Sequence, residues 1–160
     1  MVYGANASNI DWTWVDALHM AMPVFVRVSS YLRDTAYLNK LWAMYSYTKH
    51  NLAGRGLYNY TDELWFRVAN YPRPNGSGAH SPNRVKVCWS RGNGWAFAAH
   101  AKVLGLLPPG DTRWPEYRYN PQGLSRALLP RQRTADRPES DRSVAGSRLW
   151  PATPASRRGV

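Results

Sequence analysis

The sequence predicts an all-α fold made of helical hairpins, and three features of its pattern support this class. Residues 11–30 are almost entirely apolar. Residues 34–50 carry apolar side chains at helical spacing, and a third apolar segment follows Asn93. Helices joined by short turns pack as antiparallel neighbours. A chain of 160 residues is long enough to form one such domain around a hydrophobic core.

The first helix is predicted to be buried, because positions 12–28 contain only one acidic and one basic side chain. Asn9 or Asp11 is the candidate N-cap of this helix. Pro23 either kinks the helix or marks the first turn of a helix that begins later.

The second helix is predicted to run from Asp34, a favourable N-cap, to about His50. Gly54 suits the end of a helix at this point. The apolar stripe of the second helix consists of Tyr37, Leu38, Leu41, Trp42, Tyr45 and Thr48.

Shorter elements fill the rest of the predicted domain. Alternating aromatic positions in residues 56–68 predict short extended pieces, and residues 72–84 form a loop rich in Pro, Gly, Asn and Ser. A third helix is predicted from Asn93 to about Leu107. A weaker fourth helix is predicted over residues 117–129, where a proline interrupts the pattern.

Residues 131–160 differ in kind from the predicted domain over residues 1–130. Arg, Ala, Ser, Pro and Thr account for 20 of these 30 residues, and no apolar periodicity is present. The composition is typical of a disordered basic tail. It fits out-of-frame translation near residue 130 equally well, and composition alone does not separate the two interpretations.

The net charge of +11 raises the question of nucleic-acid binding. Residues 1–130 hold 14 basic and 7 acidic residues, and the basic ones are scattered along the chain. A basic isoelectric point alone is non-specific, so we predict no nucleic-acid partner. A nucleic-acid-binding protein that depends on its basic tail is the least favoured of three hypotheses for function.

Simple counts argue against several kinds of site. Cys88 is the single cysteine, which excludes an internal disulfide and a metal site built on several thiolates. The four histidines, including His19, show no metal-ligand spacing and are expected in core or surface positions. No apolar run reaches membrane-spanning length, and the first residues show no signal-peptide pattern. We therefore predict no metal, cofactor or membrane partner, and localisation, cytoplasmic or exported, stays open.

Asp16 is the first candidate for chemistry. It lies in a nearly all-apolar segment, where an unpaired carboxylate is costly to bury. Burial raises the pKa of a carboxyl group, and a carboxyl group that keeps its proton near neutral pH serves as a general acid. The alternative is a structural role, in which Asp16 caps a helix or pairs with a buried arginine.

The second candidate is the stretch CWSRGNGWA, which places an arginine between two tryptophans. The guanidinium of Arg91 is a planar fork that matches a carboxylate. Trp89 and Trp95 offer flat faces that suit a sugar ring. The stretch therefore predicts a site for a flat, anionic, ring-shaped ligand.

The glycines and the asparagine of this stretch have two interpretations. In the first, Gly92 and Gly94 let the backbone approach a ligand, and Asn93 caps the following helix and leaves N–H groups pointing into the site. In the second, they form a glycine-rich turn that leads into a core helix, and Arg91 lies on the surface.

With these residues the chain resembles glycoside hydrolase families 88 and 105, the unsaturated glucuronyl and rhamnogalacturonyl hydrolases. The stretches WTWVDALHMAMPVF and WSRGNGWAFAAHAKVLGLLP carry the resemblance, which spans roughly residues 9–129. It implies an (α/α)6 toroid and substrates with a 4,5-unsaturated uronic acid at the non-reducing end. It also implies that an aspartate protonates the C4=C5 bond, water adds at C5, and ring opening releases the next sugar without a cofactor.

The resemblance implies a role for each candidate residue. Asp16 is the catalytic acid, and Met20, one turn later, lines the same pocket. Arg91 faces the uronate carboxylate, and Trp89 and Trp95 stack on the sugar or wall it. The expected partner is an unsaturated oligosaccharide, and the oligomeric state stays open. A competing hypothesis is a carbohydrate-binding remnant without catalysis, which keeps the arginine and tryptophans and is indifferent to the aspartate.

The chain departs from the family pattern in two ways. Many members carry a histidine where Arg67 aligns, which leaves the role of Arg67 open. A complete toroid needs about twice this length, so the chain is interpreted as a central fragment, an incomplete toroid of three to four helices. We expect such a fragment to expose apolar faces and to be unstable or to aggregate.

Overall fold

A computed structural model of the chain describes residues 12–68, 86–132 and 147–150, and these residues are mainly helical. Helix α1 packs against α2 and α3, and α3 packs against α4, so the described residues form two adjoining helical hairpins. The predicted all-α class is confirmed. The helices are α1 (Asp16–Leu32), α2 (Ala36–His50), α3 (Ser90–Leu104) and α4 (Trp114–Leu128), and the strands are β1 (Tyr58–Asn59), β2 (Leu64–Trp65), β3 (Lys86–Trp89) and β4 (Ser147–Trp150).

Helix α1 begins later than the sequence pattern predicts. Its N-cap position is Val15, which has no side-chain capping bond, and the predicted caps Asn9 and Asp11 lie outside the described residues. Pro23 is buried inside the helix, so it does not mark a new start. The helix ends at Arg33, whose φ of 53° is left-handed and turns the chain toward α2.

Asp34 was predicted to be the N-cap of α2, but Thr35 occupies that position and makes no side-chain capping bond. Asp34, one residue earlier, still bonds the first turn of the helix. Its Oδ1 atom accepts a hydrogen bond of 2.8 Å from the backbone N–H of Ala36. The hydroxyl of Ser29, on α1, donates to the carbonyl of Asp34 over 2.7 Å. These two bonds fix the short turn that joins the helices of the first hairpin.

The extended pieces predicted after α2 form a small antiparallel hairpin of β1 and β2, in which Tyr58 pairs with Trp65. The chain then returns to the start of α1. There the N–H of Val15 donates to the carbonyl of Arg67 over 3.0 Å, and Trp14 forms an antiparallel bridge with Val68. The loop predicted over residues 72–84 lies outside the described residues.

Helices α3 and α4 each begin three residues earlier than predicted. Trp89 occupies the N-cap position of α3 in an extended conformation, so the predicted glycine-rich turn is the first turn of the helix itself. Helix α4 has a proline in its first turn, where the missing N–H costs no hydrogen bond. Pro121 lies buried within α4 and does not end it.

Four residues of the predicted tail form a strand. Ser147–Trp150, as β4, pairs in parallel with β3, and Trp150 is in register with Trp89. The rest of residues 133–160 lies outside the described part of the chain. The domain boundary at residue 130 and the nature of the tail stay predictions.

A buried polar network crosses the core between α2, α3 and α4. Lys49 forms an ion pair with Glu116, and the hydroxyl of Tyr45 donates to the same carboxylate over 2.6 Å. The amide nitrogen of Asn120 donates to the Tyr45 oxygen over 2.8 Å. Nδ1 of His100 donates to the carbonyl of Ala96 over 2.7 Å, which leaves Nε2 facing the Tyr45 hydroxyl at 3.3 Å. We call Tyr45, Lys49, His100, Glu116 and Asn120 the core network.

Burial governs the ionisation of the core network. It lowers the pKa of the fully enclosed His100 imidazole to about 4, which keeps the ring neutral near pH 7. It also lowers the pKa of the Lys49 ammonium, against the opposing effect of the Glu116 carboxylate. The ammonium of Lys49 lies 4.7 Å from the ring centre of Tyr58, so aromatic faces replace part of its lost hydration.

Helix α1 exposes an apolar stripe on the side turned away from its neighbours. Met20, Val24 and Tyr31 are 62%, 54% and 88% exposed, and their spacing places them on one face. The expectation that this fragment exposes apolar surface is met on α1. The consequences for stability and aggregation stay predictions.

Candidate active site

Asp16 is the first residue of α1. The sequence pattern had suggested a position in the interior of the helix. Its Oδ2 atom is buried and has no hydrogen-bond partner within the described residues. No arginine in those ranges forms an ion pair with Asp16. Neither structural alternative for Asp16, a side-chain cap or a buried ion pair, is therefore observed in this part of the chain.

His19, three residues after Asp16, is a site residue that the sequence pattern missed. Its ring stacks on Trp95 with centroids 6.2 Å apart and an interplanar angle of 22°. Its Nδ1 atom is buried and has no hydrogen-bond partner among the described residues. The available signal was the spacing of three from Asp16, which places both residues on one side of a helix.

Met20 follows on the outer part of the same turn. It was expected to line the pocket one turn after Asp16, and it is 62% exposed. The side chain therefore borders solvent. Its role in substrate binding stays a prediction.

The tryptophan–arginine–tryptophan group comes together as the sequence predicts. The guanidinium carbon of Arg91 lies 4.7 Å from the ring centre of Trp89 and 5.6 Å from that of Trp95. The two indoles meet edge to face, with centroids 5.2 Å apart and an interplanar angle of 80°. Arg91 is exposed and forms no ion pair with a described residue, so its fork is open to a ligand.

Gly92 allows the start of α3 to lie close to the start of α1. A Cβ atom at this position would lie 2.6 Å from the Trp89 ring and 2.8 Å from Cγ1 of Val15, which are distances that no side chain tolerates. Gly94 has no atom within 4 Å of the same hypothetical Cβ. Gly92 therefore serves the packing of α3 against Val15, the neighbour of Asp16.

Asn93 does not cap α3, because it lies buried inside the first turn of that helix. Its Oδ1 atom accepts from the N–H of Trp65 over 2.7 Å, and its Nδ2 atom donates to the carbonyl of Trp65 over 2.9 Å. Nδ2 also donates to the carbonyl of Trp89 over 3.0 Å. One amide thus joins β2 to the junction of β3 and α3.

Arg67 joins the group through a second contact with the ring of Trp89. It follows β2 by two residues, and its guanidinium carbon lies 4.8 Å from the ring centre of Trp89. Its carbonyl accepts the backbone bond from Val15, so its position is fixed relative to the start of α1. Five planar side chains therefore contact one another in series, and we call them the stacked series: His19, Trp95, Arg91, Trp89 and Arg67.

The described residues suggest no other type of site at this place. Across residues 12–68, 86–132 and 147–150, no group of three His, Cys, Asp or Glu side chains is arranged to hold a metal ion. In the same ranges, no helix has the length and apolar character needed to span a membrane. The arrangement consists of a buried Asp16 oxygen without a partner among the described residues, flat aromatic faces and two open guanidinium groups, linked through Val15 and His19 on the first turn of the same helix.

Three comparisons with known proteins agree with one another. The family model described as Glycosyl Hydrolase Family 88 matches residues 2–137. An unsaturated 3S-rhamnoglycuronyl hydrolase of Alteromonas sp. (strain LOR) is 32% identical over 125 residues, which are 72% of this chain and 26% of that protein. The solved structure of a glycosyl hydrolase family 88 protein from Bacteroides vulgatus matches 81% of this chain and 35% of its own, with a TM-score of 0.71 and 36% identity.

A second solved structure, described as a polysaccharide lyase, is similar to the same extent. It is 30% identical, has a TM-score of 0.71, and covers 81% of this chain and 34% of its own. The chain thus spans about a quarter of the curated relative and about a third of each solved structure.

Proposed function

Because the chain belongs to glycosyl hydrolase family 88, we propose that it acts on oligosaccharides that end in a 4,5-unsaturated uronic acid. The observation that carries this proposal is the buried Oδ2 atom of Asp16, which has no partner within the described residues. A carboxyl group without a protein partner, beside open aromatic and guanidinium faces, is suited to an acid that serves a planar anionic substrate.

In the proposed reaction Asp16 adds a proton to C4 of the C4=C5 bond, and positive charge develops at C5 and the ring oxygen. Water adds to C5 and returns its proton to the Asp16 carboxylate, so the acid is restored. The product at C5 is a hemiketal. It opens to a ketone, and the freed anomeric carbon releases the neighbouring sugar, so that one water is consumed per cleavage.

The stacked series supplies binding in this scheme. The fork of Arg91 takes the uronate carboxylate, and Trp89 and Trp95 present faces and edges to the flat unsaturated ring. Nδ1 of His19, stacked on Trp95, is available for a hydrogen bond to a sugar hydroxyl. Met20 borders the sugar at the solvent rim.

The test follows the ultraviolet absorbance of the C4=C5 bond in a lyase-generated oligosaccharide. The parent chain is expected to lower the absorbance, and Asp16→Asn, which keeps the side-chain shape, is expected to abolish this change. Binding of the oligosaccharide without loss of absorbance would support the carbohydrate-binding remnant. A rise in absorbance with an intact polysaccharide would indicate a lyase, because elimination creates the bond that the proposed hydrolysis consumes.

A further inference from the structure

The stacked series contains two guanidinium groups, although a single uronate carboxylate needs only one. Arg67 and Arg91 lie 4.8 Å and 4.7 Å from the centre of the same indole, that of Trp89. Both side chains are exposed. A second cation beside the first raises the electrostatic cost of the site unless a second anion occupies it.

The ion pairs of the described residues leave both arginines open. Ion pairs among the described residues include those of Asp111 with Arg113, Glu116 with Lys49 and Glu63 with Arg126. None of these pairs involves an arginine of the stacked series. Two neighbouring forks without carboxylate partners in the described part of the chain form a site with affinity for two anionic groups.

The backbone fixes Arg67 at this place. Its carbonyl accepts the N–H of Val15, the residue before Asp16, over 3.0 Å. Two residues earlier, Trp65 is bonded through its N–H and its carbonyl to Asn93 of α3. The segment that carries Arg67 is thus held at both helix starts, and its guanidinium group is supported by the Trp89 ring.

We propose that Arg67 is a specificity residue that binds a second anionic group of the substrate, a sulfate ester or a carboxylate on the sugar next to the unsaturated uronate. This inference rests on the proposed function, because it takes Arg91 as the residue that holds the uronate carboxylate. Trp89, whose ring centre lies 4.8 Å and 4.7 Å from the two guanidinium carbons, packs against the linkage that joins the two sugars. A substrate with a neutral second sugar fills only the Arg91 half of the site.

The experiment measures calorimetric binding of three unsaturated disaccharides to the full chain carrying Asp16→Asn, so that no ligand is consumed. The disaccharides share the unsaturated uronate and differ in the second sugar, which is neutral, sulfated or itself a uronate. The same measurements are made with Arg67→Gln added. A matched control adds Arg118→Gln, because Arg118 also lies over an indole, that of Trp114 at 5.5 Å, on the exposed side of α4.

We expect at least one anionic disaccharide to bind about tenfold more tightly than the neutral one at low salt. Arg67→Gln should remove this preference, with a loss of affinity for the anionic disaccharide about tenfold larger than its loss for the neutral one. Arg118→Gln should leave the affinities for both disaccharides unchanged. Which of the two anionic ligands shows the preference identifies the second group as sulfate or carboxylate.

Two results would overturn the inference while the proposed function stands. One is equal affinity for all three disaccharides in a chain whose parent consumes the neutral disaccharide. The other is an equal loss of affinity for all three in Arg67→Gln, which would reduce Arg67 to a support for Trp89. If the parent chain neither binds nor consumes any of the three, the proposed function fails together with the inference.

Discussion

Two clusters of this molecule are built from the same kinds of side chain and differ in how their polar atoms are satisfied. The core network, and the stacked series taken together with Asp16, each combine a carboxyl group, basic side chains and aromatic rings. In the core network, the carboxylate of Glu116 accepts bonds from Lys49, Tyr45 and Asn120. At the candidate site, Oδ2 of Asp16 has no partner within the described residues.

Two histidine stacks repeat this contrast at the level of single residues. His50 stacks on Tyr60 and His19 stacks on Trp95, each at an interplanar angle of 22°. Nδ1 of His50 is bonded to the Tyr60 hydroxyl at 2.5 Å, whereas Nδ1 of His19 has no partner in the described ranges. The difference indicates that the His19 stack, unlike the His50 stack, has a ring nitrogen left for a ligand.

The largest expected effect comes from breaking the core network at Glu116. Glu116→Gln leaves the buried ammonium of Lys49 without its counter-charge, and we expect a loss of about 3–5 kcal/mol in the free energy of unfolding. Urea denaturation measures this loss. Lys102→Met, which removes one charge from an exposed position, is the control. Adding Lys49→Met to Glu116→Gln should restore part of the loss, and no recovery in the double variant would refute the assigned pairing.

The pH dependence of stability tests the same network through His100. Its folded-state pKa of about 4 lies below the ordinary value of 6.5, so the unfolded chain binds more protons between these values. The contribution of neutral His100 to the free energy of unfolding is therefore fully present above pH 6.5. It is lost as the pH drops toward 4, by roughly 3 kcal/mol in total. Urea midpoints at several pH values should show a smaller fall in His100→Gln. Parallel curves for the two proteins would contradict the buried neutral imidazole.

At the stacked series the sharpest packing test is Gly92→Ala. The added methyl group meets the Trp89 ring and Val15, and we expect a cost of about 1–3 kcal/mol together with weaker binding of the unsaturated uronide. Gly94→Ala is the matched control, since its methyl group enters open space and a helix favours alanine by up to about 1 kcal/mol. Equal effects of the two substitutions would mean that α3 does not approach Val15 so closely.

The smallest expected effect on stability, and a clear one on binding, comes from His19→Phe. The phenyl ring keeps the stack on Trp95 and removes Nδ1, so we expect about tenfold weaker binding of the unsaturated disaccharide and an unchanged urea midpoint. His50→Phe, at the second stack, is expected to leave affinity unchanged. A fall in stability without a change in affinity would assign His19 to the core.

The sequence predicted helix content and the tryptophan–arginine group because both depend on local spacing. The apolar pattern predicted each of the four helices that the described residues form. Trp89, Arg91 and Trp95 are separated by two and four residues, and this spacing was enough to predict one cluster. The starts of α1, α3 and α4 were misplaced. They are set by tertiary bonds, such as that from Val15 to Arg67, which no local pattern reveals.

The contributions of His19, Arg67 and Asn93 could not be predicted for the same reason. A lone histidine on an apolar helix is most simply a core residue, and only the approach of α3 places Trp95 against it. Arg67 and Asn93 owe their positions to contacts between the segment around β2 and the start of α3. The bonds between Trp65 and Asn93 join residues 28 positions apart in the sequence. Such pairings depend on the folded arrangement of the chain.

The amide of Asn93 gives β2 a partner that a neighbouring strand would otherwise provide, since it pairs with both the N–H and the carbonyl of Trp65. As a result, the N–H of Trp65 can exchange its hydrogen with solvent only when the first turn of α3 separates from the β1–β2 hairpin. The amide of Trp65 and the first-turn amides of α3 should therefore exchange as one cooperative unit. The exchange rate of the Trp65 N–H then reports how often the β1–β2 hairpin and the start of α3 separate.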